Sequence, residues 1–205
     1  MIPQISDDYQ YDIFLSYTRR NQVSDWVQSH FYDLLKEHLD AALGRAPNIF
    51  IDKDIGIGEA WPLKLKQALA HSRCLIAVVS PAYFRSAWCL KECHIMLARE
   101  QAEGYRTLAN TRGLVIPVIA RNGEHHPEYM RDIQSVDLKH YVRVGGAFRN
   151  APRYIEFEDE MEKWTKQVAD AVRAAPIWRS GWPSEEDVVI PEIGSVQFNK
   201  KPQIM

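Results

Sequence analysis

The run CLIAVV, residues 74–79, is apolar from end to end. Six residues are too few for a buried helix and enough for a strand. A strand with no polar face has to be covered on both sides, which means a parallel sheet between two layers of helices. Three more runs fit the same sheet: YDIFLSY (11–17), NIFI (48–51) and LVIPVI (114–119). Ile13, Phe14 and Leu15 are contiguous, as in a central strand. Pro117 removes a backbone donor and points to a strand near an edge, or to a bulge. A fifth strand is expected within 136–144, at KHYVRV, with Gly145 and Gly146 ending it.

Helical patterns alternate with these runs. Val23, Trp26, Val27, Phe31, Leu34, Leu35, Leu39 and Ala42 recur at three and four residues over 24–43, and Gly44 marks the stop. Pro62 opens a helix over 62–71, with Leu65, Ala68 and Leu69 inward. Residues 154–175 form an amphipathic helix carrying Ile155, Trp164, Val168, Ala171 and Val172. This alternation predicts a parallel sheet with helices on both faces. Ligands of such sheets sit at the carboxyl ends of the strands, near the reversal of strand order. The first and third strands are the expected reversal, so the loops 18–22 and 80–88 should converge.

The second of these loops runs into the helix of SPAYFRSAWCLKECHIMLAREQAE, residues 80–103. Cys89, Leu90, Cys93, Met96 and Leu97 form one apolar arc on a helical wheel. Trp88 and Glu92, four residues apart, share a face at the rim of that arc, with Ile95 and Arg99 alongside. A rim is where a cleft residue belongs, although a glutamate on an amphipathic helix is ordinarily a solvated charge.

Taken together and at these spacings, YDIFLSYTRR, FIDKDIGIGEAW and LIAVVSPAYFRSAWCLKE resemble the Toll/interleukin-1 receptor (TIR) domain over about residues 9–175. The resemblance implies an α/β, flavodoxin-like fold with a five-stranded parallel sheet. The second motif carries what that family calls the BB loop. The family divides into adaptors that assemble through surface loops and enzymes that cleave NAD between nicotinamide and ribose. The enzymes carry a glutamate on the third helix, with an aromatic residue four positions earlier. The pair here is Trp88 and Glu92, so the resemblance implies Glu92 as the catalytic carboxylate. It implies Trp88, Phe14, Ser16, Arg19 and Arg20 around the substrate, the arginines serving its phosphates. One anion suits an oxocarbenium-like transition state, and an aromatic wall suits a departing pyridine ring. Asp54, Ile55, Gly56, Ile57, Gly58 and Glu59 are implied as the assembly loop, whose apolar residues sit in a segment expected at the surface.

Each assignment has a plainer counterpart. Phe14 also reads as core, and Arg19 and Arg20 as solvated loop charges. Asp52 and Asp54 more often cap a loop than hold a metal. Cys89, Cys93 and His94 lack a fourth ligand for zinc, and Glu124, His125 and His126 are weaker still, so no metal is expected. Gly56 and Gly58 make no dinucleotide fingerprint, which needs a third glycine after the first strand. NAD use therefore rests on the resemblance, with NAD as substrate and no cofactor. The leading reading is an NAD glycohydrolase or cyclase acting as an immune, anti-phage effector or signal producer activated by self-assembly. The alternative is a non-enzymatic adaptor. A phospho-receiver is set aside: Asp12 begins the first strand, but no acidic pair follows it and no aspartate ends the third.

At 205 residues, 46% of them hydrophobic, the chain makes one domain with an appendage. We expect the TIR domain over 1–175 and an extension over 176–205 that packs on it or links to a partner. That tail holds Trp178, Trp182, Val188, Val189, Ile190, Val196 and Phe198, too apolar for disorder alone. A net charge of −2 gives no field for nucleic acid or anionic membrane. Three cysteines argue against a disulfide framework, and the acidic N-terminus lacks a signal core. A cytoplasmic protein is expected. Its expected partners are NAD, other TIR domains and a separate sensor protein or domain, with no direct nucleic acid and no membrane.

Overall fold

The computed structural model describes residues 8–19, 21–52, 61–121 and 127–189. Five parallel strands form one sheet in the order β2-β1-β3-β4-β5. They are β1 (Tyr11–Ser16), β2 (Ile49–Phe50), β3 (Ser72–Val79), β4 (Val115–Ile119) and β5 (Val136–Asp137). The order reverses at β1, which lies between β2 and β3. Right-handed crossovers then place the connection from β1 to β2 on one face and those from β2 to β3 and from β3 to β4 on the other. The helices are α1 (Gln22–Trp26), α2 (Tyr32–Leu43), α3 (Trp61–Ala70), α4 (Ala87–Ala102), α5 (Glu128–Arg131) and α6 (Pro152–Arg173).

The helix expected over 24–43 begins two residues earlier, because Asn21 caps it by accepting from the Ser24 N–H at 2.9 Å. A π turn, Val27–Phe31, joins α1 to α2. Gly44 ends α2 in the left-handed region at φ 71°, as its position predicts. Trp26 and Phe31 on this helix meet Phe157 and Trp164 of α6, filling the core on that side. Burying Trp26, Phe31, Phe157 and the apolar residues of β3 is the main force holding the layers together.

Three expectations are corrected. KHYVRV is not a strand: β5 is Val136–Asp137, which ends one residue short of it, and Lys139–Tyr141 form a 3₁₀ turn. Ile155 is 63% exposed, since the buried stripe of α6 runs through Tyr154, Phe157, Met161, Trp164, Val168 and Val172, one residue aside. The strand–helix alternation thins after β4, where α5 has only four residues. Pro117 does sit near an edge, as its missing donor suggested, for β4 lies next to the edge strand β5 and pairs in register with β3 on one side and β5 on the other. Odd-numbered residues of β4 turn their polar groups outward, as Ile119 does in accepting from the Leu138 N–H. The missing Pro117 N–H therefore faces outward at a level the short β5 does not reach.

Asp12 at the amino end of β1 is buried and held by Arg45 in two hydrogen bonds of 2.8 and 2.6 Å. It also accepts from the Asn48 N–H at 2.9 Å. Burial pushes its pKa up, but the Arg45 and Asn48 hydrogen bonds win and hold it below the ordinary aspartate range. This residue clamps the entry to β2, at the end of β1 away from Ser16.

Candidate active site

Sequence-adjacent residues of β1 alternate faces, and Ser16 turns towards α4. Its hydroxyl donates to Glu92 Oε2 at 2.6 Å. The Ser16 oxygen also lies 3.0 Å from the Tyr83 hydroxyl, which is 3.2 Å from the Cys89 carbonyl. Tyr83 is fully buried, on the 3₁₀ turn Tyr83–Arg85 between β3 and α4. Ser86 then caps α4 by accepting from the Cys89 N–H, which fixes where the first turn of the helix starts. Trp88 lies in that first turn and Glu92 one turn on. The third strand and the helix after it therefore deliver Glu92 to the carboxyl end of β1.

Glu92 is buried, at 9% exposure, rather than half open. Burial is the main cause of its raised pKa, pushed up to about 8. The Ser16 hydrogen bond and the charge of Arg19 pull the other way, and Asp52 pushes up. A carboxyl that changes charge near neutral pH at a strand end is suited to stabilise a cation or move a proton.

Arg19 is ion-paired with Asp52 at the end of β2, and Tyr17 donates to the other oxygen of Asp52 at 3.1 Å. Asp52 thus ties the segments that follow β1 and β2 together. Arg19 and Asp52 both act electrostatically on Glu92, so the loop after β1 does approach the carboxylate. Phe14 is in the core, 1% exposed, with its ring stacked 5.0 Å from Phe50. Trp88 is half-buried and lines one crevice with Glu92, together with Leu65, Leu69 and Ile95. Arg20 and the whole of the implied assembly loop, Asp54, Ile55, Gly56, Ile57, Gly58 and Glu59, lie outside the described residues.

The helical wheel misjudged two positions. Arg99, expected at the rim, is wholly buried and donates to the carbonyls of Ser72 at 2.8 Å and Leu69 at 3.2 Å, serving the end of α3. Leu97, expected inside, is only partly buried. Cys89, Cys93 and Cys74 are buried free thiols, and no cluster of three metal-ligating side chains exists among the described residues. A cavity of about 430 Å³ lies beside Val115, Val136 and Trp164, away from Glu92. Two features escaped the sequence. Nothing in the spacing of Tyr83 shows that its hydroxyl meets Ser16, and nothing marks Glu185 of the tail as a neighbour of Trp88 in the crevice.

The family model for the TIR domain matches residues 13–149, two thirds of the chain. This chain belongs to the TIR domain family. The five-stranded parallel sheet and its order agree with the fold that membership implies. Among curated proteins it is 28% identical over 187 residues to the disease resistance protein RUN1 of Vitis rotundifolia, covering 90% of this chain and 12% of that protein. It is 22% identical over 187 residues to the probable disease resistance protein RPP1 of Arabidopsis thaliana, covering 90% and 13%. The TIR chain thus spans about an eighth of the length of these relatives. Among solved structures it is similar to the TIR domain of the Toll-related receptor TRR-2 of Hydra magnipapillata. That likeness has a TM-score of 0.48 and 19% identity over 74% of this chain and 98% of the other. It is also similar to the TIR domains of the activated Roq1 resistosome recognising the pathogen effector XopQ. Here the TM-score is 0.35, with 18% identity over 81% and 86%. No helix among the described residues is long and apolar enough to cross a membrane.

Proposed function

We propose that this TIR domain is an NAD glycohydrolase or cyclase with Glu92 as its catalytic carboxylate. The observation that carries the reading is the Ser16–Glu92 hydrogen bond, which fixes a buried carboxyl at the reversal of strand order beside Trp88. In the reaction the bond between ribose C1′ and the nicotinamide nitrogen breaks, and its electron pair neutralises the pyridinium. The ionised Glu92 stabilises the oxocarbenium-like ribose or orients its hydroxyls. Water then adds at C1′ and releases a proton, giving nicotinamide and ADP-ribose. In a cyclase a nucleophile within the ADP-ribose takes the place of water. Trp88 stacks the leaving ring, Arg19 and Arg20 serve the phosphates, and Phe14 supports the strand from within the core.

The relatives named for disease resistance support an immune role, as an effector or signal producer turned on by self-assembly through residues 54–59. Against phage, the partner is a separate sensor protein or domain. The free thiols fit a reducing cytoplasm. A second reading, the non-enzymatic adaptor, is favoured by the tightness of the crevice, about 20 Å³. Incubating pure protein with NAD, with and without a crowding agent, and identifying products by chromatography separates the two. Nicotinamide release that vanishes in Glu92→Gln supports the enzyme; intact NAD under every condition supports the adaptor.

A further inference from the structure

The tail beyond α6 is a strap with fixed anchors. Trp178 stacks on His71, with centroids 5.0 Å apart and planes at 13°, and its indole N–H donates to the Ala70 carbonyl at 3.2 Å. Trp182 is buried, with the Arg99 guanidinium 4.6 Å from its ring centre. Ser184 and Asp187 close a capping box around the 3₁₀ turn Glu185–Asp187. These contacts run up the surface of α3 and α4 and deliver Glu185 to the rim of the Trp88 crevice.

Glu185 is ion-paired with Lys91 of α4 and lies 2.8 Å from Lys66 of α3. The Lys91 ammonium in turn sits 5.1 Å from the centre of the Trp88 ring. A cation therefore already rests on the aromatic face of the crevice. The crevice, about 20 Å³, holds one water and no more. A second cavity of about 220 Å³ lies under the strap, and Lys66, Leu69, Ile95 and Glu185 line both. Glu185 and Lys66 form part of the partition between them, and Lys91 lines only the crevice.

We propose that the strap is an autoinhibitory latch, in which Glu185 pins the Lys91 ammonium on the Trp88 ring, where it stands in for the cationic nicotinamide of NAD. The proposal rests on the enzyme reading for its purpose, though not for its geometry. An aromatic face attracts cations through its quadrupole, so an ammonium and a pyridinium compete for it. The side chains of Glu185 and Lys91 are 27% and 28% exposed, and that of Lys66 is 51% exposed. Ion pairs this open are weak and screened by salt. A binding event that breaks the Glu185 pairs, with the Trp178 and Trp182 anchors left in place, has little to overcome. Residues 176–189 lie beyond the matched family region, which ends at 149.

The test uses 1-methylnicotinamide, a pyridinium that cannot be cleaved, titrated by NMR into the full chain. Wild type, Glu185→Gln, Lys91→Gln and the double variant are compared, with circular dichroism as the check on folding. Each single variant should bind the pyridinium roughly three- to tenfold more tightly than wild type, the range open ion pairs support. The double variant should bind no more tightly than Lys91→Gln alone. In NAD cleavage the same variants should lower KM by that factor and leave kcat within about twofold. Unchanged, weaker or undetectable pyridinium binding by Glu185→Gln overturns the latch, weaker binding showing that Glu185 neutralises Lys91 in favour of the substrate. Tightened pyridinium binding in a protein that never cleaves NAD keeps the latch and removes the enzyme reading.

Discussion

Ser16 and Glu92, separated by 76 positions in sequence, meet in a 2.6 Å hydrogen bond that ties the end of β1 to the second turn of α4. The bond is local to the site, yet it depends on the reversal of strand order that makes β1 and β3 neighbours. It also leaves a carboxyl buried where the fold alone would place an apolar side chain. The site is thus built against stability, and that gives the first test.

Glu92→Gln keeps the shape and removes the charge. It should abolish nearly all NAD cleavage while raising stability. The folded-state pKa of about 8 lies above the ordinary glutamate value. The wild-type contribution is therefore intact in acid and is lost as pH rises from the ordinary value through about 8. The advantage of the glutamine protein should grow over that window, reaching on the order of 1–3 kcal/mol. Denaturant melts of both proteins at several pH values measure it; parallel curves at all pH would contradict a buried, titrating Glu92.

The pH dependence of catalysis follows from the same group. With the anion as the active form, kcat/KM should rise through pH about 8, the value in the free protein. A bound pyridinium favours the anion, so the kcat profile should rise at lower pH. Initial rates across the range decide the matter, and a kcat/KM profile that falls over that window would mean the neutral acid is the working form.

Tyr83→Phe removes the hydroxyl that faces Ser16 and leaves the ring in place. Ser16 then loses one of its two partners, and the orientation of Glu92 loosens with it. A drop of roughly five- to thirtyfold in kcat, about 1–2 kcal/mol, is expected with little change in KM. A moved pH profile for the variant would distinguish this positioning effect from simple loss of packing.

Arg45→Ala should destabilise the fold by about 2 kcal/mol at neutral pH, because it strips a buried aspartate of the closer of its two charged partners and leaves Arg73 at 3.6 Å. The depressed pKa of Asp12 means that its contribution is present above the ordinary aspartate value. It is lost as pH falls through the depressed one. The difference between variant and wild type should accordingly shrink in acid, which thermal melts at pH 7 and below pH 3 can check.

Self-assembly predicts that specific activity rises with protein concentration, and that Gly58→Pro weakens this rise. Rates strictly proportional to concentration, from a monomer at every dilution, would leave a self-contained site.

The sheet was legible because its strands are nearly pure apolar runs, and burial on two faces permits little else. The pairing of Trp88 with Glu92 was legible because helical spacing fixes it. What lay hidden depends on contacts between distant segments. Arg99 reads as a surface charge until α3 is seen to end against it. The depth of Glu92 follows from Ser16 and from the close cover of α4, neither of which has a periodic signature. KHYVRV holds β-prone Tyr and Val, yet the chain turns at Leu138, whose N–H reaches back to Ile119, and the next residues coil.

The outward side of β4 has a consequence for how copies of this domain associate. Pro117 offers no donor there, and the Val115 carbonyl is already taken by Arg106 at 2.8 Å. An incoming strand would find neither the donor nor the acceptor it needs to add to the sheet along this stretch. Edge-to-edge growth of the amyloid kind is blocked along this stretch, so the outward side of β4 is not a seam along which copies of this domain can polymerise.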